Sequence, residues 1–133
     1  MTKVISIKQP WASLIVEGYK KFEFRTWKTK YRGEILIHAS KTIDKEQLKR
    51  FTNLKLNYPT GQIIGKAYLS DCLVVTKEFE DELIASNYLV YGANKDRQGY
   101  AFKLDKVEKF TKPIEISGKL GIWNFENKGL EKE

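Results

Sequence analysis

The chain has 133 residues, about one domain's worth, and a mass of 15.5 kDa, a size at which roughly two-thirds of the open-chain surface is buried on folding. Hydrophobic residues at 41% and charged residues at 31% exclude disorder throughout. One Cys and one His exclude an intrachain disulfide and a His/Cys zinc site. The start of the chain, MTKVISIKQPW, has no long apolar run, and no stretch of about 20 apolar residues follows. The expectation is a cytoplasmic protein without signal peptide or membrane span.

Val4 to Ile7 reads as a strand bounded by Lys3 and Lys8. Pro10 opens a helix, where its missing N–H costs nothing. Trp11, Leu14 and Ile15 give that helix one apolar face, and Gly18 is placed to stop it. Lys21 to Trp27 alternates as a strand, with Phe22 and Phe24 on one face and Lys21, Glu23, Arg25 and Trp27 on the other. Arg32-Gly33 marks a turn before a second strong strand, 34–39. Thr42 or Asp44 caps a helix of about 44–52 carrying Leu48 and Phe51. Gln62 to Val75 is a long β-prone run with a bulge or bend at Gly65.

Lys77 to Asn87 reads as a short helix. Residues 92–99 form a polar loop, read either as a lid or as an ordinary mobile surface loop. Tyr100, Phe102 and Leu104 alternate in a strand that Lys112-Pro113 interrupts. Gly118 and Gly121 flank a tight turn before the strand Ile122 to Phe125, and 128–133 is a charged tail. Strands dominate. The expected class is α+β: a small, closed or nearly closed β-barrel of about six strands with about three short peripheral helices.

The net charge of +7 is unevenly placed: residues 1–50 hold 12 Lys/Arg against 5 Asp/Glu, and the remainder holds 12 of each. The densest part, 18–32, interleaves Lys20, Lys21, Arg25, Lys28, Lys30 and Arg32 with five aromatic residues, a composition suited to a polyanion with stackable bases. A solvated basic hairpin is the plainer reading. Within this stretch Gly18 to Arg25 has the form G-x-K-x-x-E-x-R. Glu23 and Arg25, two apart on a strand, share a face, and Lys20 at the strand's entrance turns back over it. A carboxylate among cations stays ionised and anchors them.

Several single residues carry two readings. His38 is either a cleft proton carrier or a hydrogen-bonded strand His. Cys72 in an apolar strand reads as a small buried hydrophobe. Trp11, Trp123 and Tyr100 read as core, whereas Trp27 shares the Glu23/Arg25 face and could stack a base.

The stretch IKQPWASLIVEGYKKFEFRTWKTKYRGEILIHAS resembles the activating signal cointegrator homology (ASCH) domain. The resemblance continues through Gly65 to Leu69, Gly99 to Leu104, Lys112 to Ile114 and Gly118 to Trp123, roughly residues 3–126. It implies a PUA-like fold, a single domain over 1–127, and a basic cleft for RNA or a nucleoside-like ligand. Carried over, the cleft residues are Lys20, Glu23 and Arg25. The charge pattern adds Lys8, Lys28, Lys30 and Arg32 as ligand contacts, and the stacking reading adds Trp27. The family also includes small amidohydrolases acting on acylated cytidine, and ribonuclease activity is attributed to some members. If this chain is an enzyme, Lys20 and Glu23 are the expected catalytic pair. Glu23 stands where the amidohydrolases carry a Thr, and alternation puts Thr26, the nearest hydroxyl, on the opposite face. Three readings follow: a module that binds RNA or a nucleotide; a hydrolase of a modified nucleoside or of RNA; and an interaction domain whose cleft is vestigial, with protein partners in trans. No metal or organic cofactor is expected, and a monomer is.

Overall fold

The computed structural model describes residues 2–92 and 97–126. Its elements run β1 (Thr2–Gln9), α1 (Trp11–Val16), β2 (Phe22–Arg25), β3 (Gly33–Ile43), α2 (Lys45–Leu48) continuing into a 3-10 turn (Lys49–Leu54), β4 (Gln62–Val74), α3 (Lys77–Ser86), α4 (Tyr88–Tyr91), β5 (Tyr100–Glu115) and β6 (Ile122–Phe125). The strands form one six-stranded sheet in the order β2-β5-β4-β3-β1-β6. All pairs are antiparallel except β1 with β3.

The sheet is curled but not closed, which corrects the expected barrel. β2 and β6 remain its edges, and no backbone ladder joins them among the described residues. The Arg25 side chain reaches across from β2 to β1 instead. The α+β class stands.

β3 explains why the sheet curls around a core on both faces. Ile35 and Ile37 pack with Ile5, Ile7 and Ile15 under α1, while Leu36 faces the other way with Val4, Ile63 and Trp123. A third cluster joins Leu14 of α1 to Phe51, Leu83, Val90 and Tyr91, and the half-buried Phe22 and Phe24 pack on it. The two rings expected on one face of this strand thus anchor β2 in the cluster. Trp123 is buried as expected; Trp11, Cys72 and Tyr100 are half-buried against the core.

Two elements differ from the sequence reading. β5 does not stop before Pro113. Lys109 pairs with Gly65 and Ile114 with Ile63, so 110–113 bulge out between the two pairs. Pro113 thus sits where the β4 ladder requires no N–H. The short helix α4 was not expected; Asn87 caps it by accepting from the Val90 N–H at 3.1 Å.

Gln9 fixes the first strand-to-helix junction. Its Oε1 accepts from the Ser13 N–H at 3.0 Å, and its Nε2 donates to Ser13 Oγ and to the Pro59 carbonyl, both at 2.7 Å. A first-turn amide of α1 is thereby satisfied by a side chain. The Gln9–Pro10 peptide is cis.

Candidate functional site

The end of α1 delivers Lys20. Gly18 adopts φ of +89°, which suits a residue without Cβ. The amides of Tyr19 and Lys20 then fold back onto the Leu14 carbonyl at 2.9 and 3.0 Å. This turn drops the Lys20 side chain between Trp11 and Phe24, with Nζ 5.6 and 5.0 Å from their ring centroids. The ammonium donates to Glu23 Oε1 at 2.9 Å and to the Phe22 carbonyl. Arg25 Nη2 lies 3.1 Å from Glu23 Oε2 and donates to the Ser6 carbonyl at 2.7 Å. The expected Lys20–Glu23–Arg25 unit is thus assembled, with Glu23 between the two cations.

The unit is drier than a wet cleft would make it: Lys20 is 4% and Glu23 8% exposed. Burial draws the Lys20 ammonium below its ordinary value of 10.5; Glu23 opposes this, and Arg97 and Arg25 assist it. Burial alone would raise Glu23. The attraction of Lys20 and Arg25 outweighs it and holds the carboxyl below its ordinary 4.5.

The unit forms part of the wall of a cavity of about 1090 Å³. Lys8, Lys20, Glu23, Arg25 and Trp27 all line it, whereas Lys28, Lys30 and Arg32 stand outside its described lining. Arg32 instead donates to the carbonyls of Thr29 and Tyr31, both at 2.9 Å, with Asp71 at 3.8 Å. Trp27 packs edge-on against Phe102 at 5.2 Å and remains 38% exposed. Alternation over 21–27 places Thr26 opposite Glu23, but the strand ends at Arg25, alternation ends with it, and Thr26 lines the same cavity.

His38 is a hydrogen-bonded strand residue that also lines the cavity. It is buried, with Nε2 2.8 Å from the Ile116 carbonyl and Nδ1 3.2 Å from Ser6 Oγ. Trp123 Nε1 donates to the same hydroxyl at 2.9 Å. A consistent assignment has the Ser6 hydroxyl donating to Nδ1 and Nε2–H donating to Ile116.

Three cavity cations escaped the sequence reading: Lys41, Arg97 and Lys119. Arg97 is held firmly. Its backbone N–H and Nη1 both reach Glu80 Oε2, at 2.8 and 3.1 Å. Nη2 donates to the Tyr91 carbonyl at 2.7 Å, and the guanidinium lies 4.8 Å from the Phe24 centroid. Residues 93–96, the rest of the supposed lid, lie outside the described residues. Among the described residues no group of three or more His, Cys, Asp or Glu side chains stands together as a metal site. No described helix is long and apolar enough to cross a membrane.

A profile of the ASCH domain matches residues 5–114. The chain belongs to the ASCH domain family. This ASCH chain is 27% identical over 138 residues to activating signal cointegrator 1 of Homo sapiens, and 27% identical over 136 residues to the Mus musculus protein. Each alignment covers 93% of this chain and 22% of the relative, so the chain spans about a fifth of the length of these proteins. The ASCH structure from Zymomonas mobilis matches with a TM-score of 0.64 at 18% identity, covering 98% of this chain and 92% of that one. A point variant of it matches with a TM-score of 0.60, covering 98% and 94%. These likenesses establish the shared fold.

Proposed function

We propose that this ASCH domain binds RNA, holding one nucleotide in the cavity with Lys20, Glu23, Arg25, Trp27 and Lys8. The observation that carries this reading is the charge of the lining: Lys8, Lys20, Arg25, Lys41, Arg97 and Lys119 against the single carboxylate of Glu23 among the described lining residues. An excess of cations around a concave site attracts a polyanion. The partly exposed Trp27 ring offers a stacking surface for a base. Glu23 orients Lys20 and Arg25, so their donors are fixed before the ligand arrives. Lys28, Lys30 and Arg32 lie outside the described lining of this cavity. Equilibrium binding of a short single-stranded RNA by the wild type and by Trp27→Ala tests the proposal. Base stacking contributes about 1–3 kcal/mol, so affinity is expected to fall roughly 5- to 150-fold. Equal affinity of the two proteins contradicts the site.

A second reading, hydrolysis of an acylated nucleoside, is favoured by one specific feature. Lys20 is buried and carries a lowered pKa, and Thr26 lines the same cavity. A lysine so placed works as a base or nucleophile more readily than a solvated one. Lys20→Ala separates the readings. In a hydrolase it abolishes turnover of N4-acetylcytidine while leaving much of the affinity; in a binding module the wild type turns nothing over, and the variant loses affinity.

A further inference from the structure

The six cavity cations fall into two tiers. Lys20, Arg25 and Arg97 form a floor whose side chains are 5%, 20% and 9% exposed. Each is already committed: Lys20 and Arg25 to Glu23, Arg97 to Glu80, and all three to main-chain carbonyls. Lys8, Lys41 and Lys119 are exposed at the mouth. No carboxylate of the described residues lies within ion-pairing distance of any of these three.

The backbone brings the upper tier together by a departure from regular pairing. In the parallel β1–β3 ladder, Ile7 pairs with Ala39 and Gln9 with Ile43. Lys8 alone therefore faces three residues, 40–42. Regular alternation would present only every other one of these to a given face. The bulge presents Ser40, Lys41 and Thr42 all to the cavity, and bulges commonly re-aim side chains in this way beside functional sites. Lys119, exposed in the segment between β5 and β6, lines the same cavity.

We propose that Lys8, Lys41 and Lys119 form a phosphate-binding rim, so that the ligand is one nucleotide of a polynucleotide strand entering base-first, not a free nucleoside. This rests on the RNA-binding reading above and names its ligand class. The physical argument is one of competition. A phosphate meeting the floor must draw Lys20 or Arg25 from Glu23, or Arg97 from Glu80. At the rim it meets cations with no carboxylate partner to give up, and the hydroxyls of Ser40 and Thr42 stand beside them as further donors. The charged backbone therefore runs along the mouth, while the neutral base descends to the floor and Trp27.

The test uses the full chain with three probes: a uridine hexamer RNA, uridine monophosphate and uridine, each titrated across a salt series. The wild type is expected to bind the hexamer most tightly and uridine least. In Lys8→Gln/Lys41→Gln/Lys119→Gln the slope of log K against log salt for the hexamer should fall by about 2, from roughly 0.7 per lost phosphate contact on a single strand. Lys28→Gln/Lys30→Gln, which alters exposed lysines outside the described cavity lining, should keep the wild-type slope. A rim variant with the wild-type slope, or a loss carried by the Lys28/Lys30 variant, overturns the rim while leaving RNA binding intact. Equal affinity of the wild type for hexamer and uridine also overturns it. A wild type that binds none of the three probes overturns both the rim and the RNA reading.

Discussion

Arg25 reaches from β2 to β1 and donates from Nη2 to the Ser6 carbonyl at 2.7 Å. The two strands stand first and fifth in a six-strand sheet, so this bond crosses the opening that the curled sheet leaves. The same nitrogen is 3.1 Å from Glu23 Oε2. Arg25 therefore ties the motif strand, the sheet's far side and the cavity wall together, through a planar group that lysine cannot imitate. Arg25→Lys keeps the charge but cannot hold both partners. RNA affinity is expected to fall by about tenfold or more, the scale of one lost charge-assisted hydrogen bond at about 1.5–3 kcal/mol. Fluorescence anisotropy at fixed salt reads this directly, and affinity equal to the wild type would show that charge alone suffices.

Removing Glu23 should damage the fold more than removing an ordinary surface acid. Its carboxylate sits between Lys20 and Arg25 and is 8% exposed. Glu23→Ala leaves a buried ammonium without a counter-ion, a change that typically costs about 3–5 kcal/mol. Glu23→Gln retains shape and one acceptor and should cost less. Urea unfolding of the two variants measures the difference, and a Glu23→Ala protein as stable as the wild type would contradict the ion-pair account.

Acid should expose the same unit. The folded Glu23 carboxyl titrates below the 4.5 of the unfolded chain. As pH falls, the unfolded chain takes up this proton first, so stability drops until the folded carboxyl is also protonated. The stabilisation is fully present above pH 4.5 and is lost below it. Glu23→Gln lacks that group, so its urea midpoint should change less steeply than the wild type's as pH is lowered from 5. Parallel profiles would mean that Glu23 is not held ionised by its neighbours.

Gly118 offers a separate check on the cavity's far wall. A Cβ there would lie 2.4 Å from His38 Cε1 and 2.7 Å from Ser6 Oγ. His38 is buried and hydrogen-bonded on both ring nitrogens, so it has little room to yield. Gly118→Ala is expected to cost about 1–3 kcal/mol, as overpacking does, and to shift the indole N–H resonance of Trp123, which donates to Ser6. An unshifted resonance with unchanged stability would contradict this packing.

The motif strand and its face were legible in the sequence because Phe22 and Phe24 alternate with Glu23 and Arg25, and a period of two survives any tertiary context that buries one face. Alternation misled at Thr26 because it holds only while the strand continues, and the strand ends at Arg25. Pro113 looked like a strand end because a missing N–H matters only where a ladder needs it; the β4–β5 bulge removes that need. The helix α4, only four residues long, is too short to show a 3.6-residue period. Arg97 gave no local signal. Its partner Glu80 lies 17 residues away, and the polar character of 92–99 says nothing of a buried ion pair. Lys41 reaches the cavity only through a bulge that pairing between β1 and β3 creates. The barrel expected from strand count stayed open: the edge strands β2 and β6, four residues each, share no ladder among the described residues, and β2 meets β1 through the Arg25 side chain.

The central claim is that the cavity bounded by Glu23, Arg25 and Trp27 receives an RNA nucleotide. Chemical-shift mapping of the isotope-labelled protein during titration with a uridine hexamer RNA tests it most directly. The account predicts saturable shifts in the amides of Ser6, Thr26, Lys41 and Lys119 and in the Trp27 indole, all lining one cavity. Shifts confined to Lys28, Lys30 and Arg32, or no shifts at all at low salt, would contradict it.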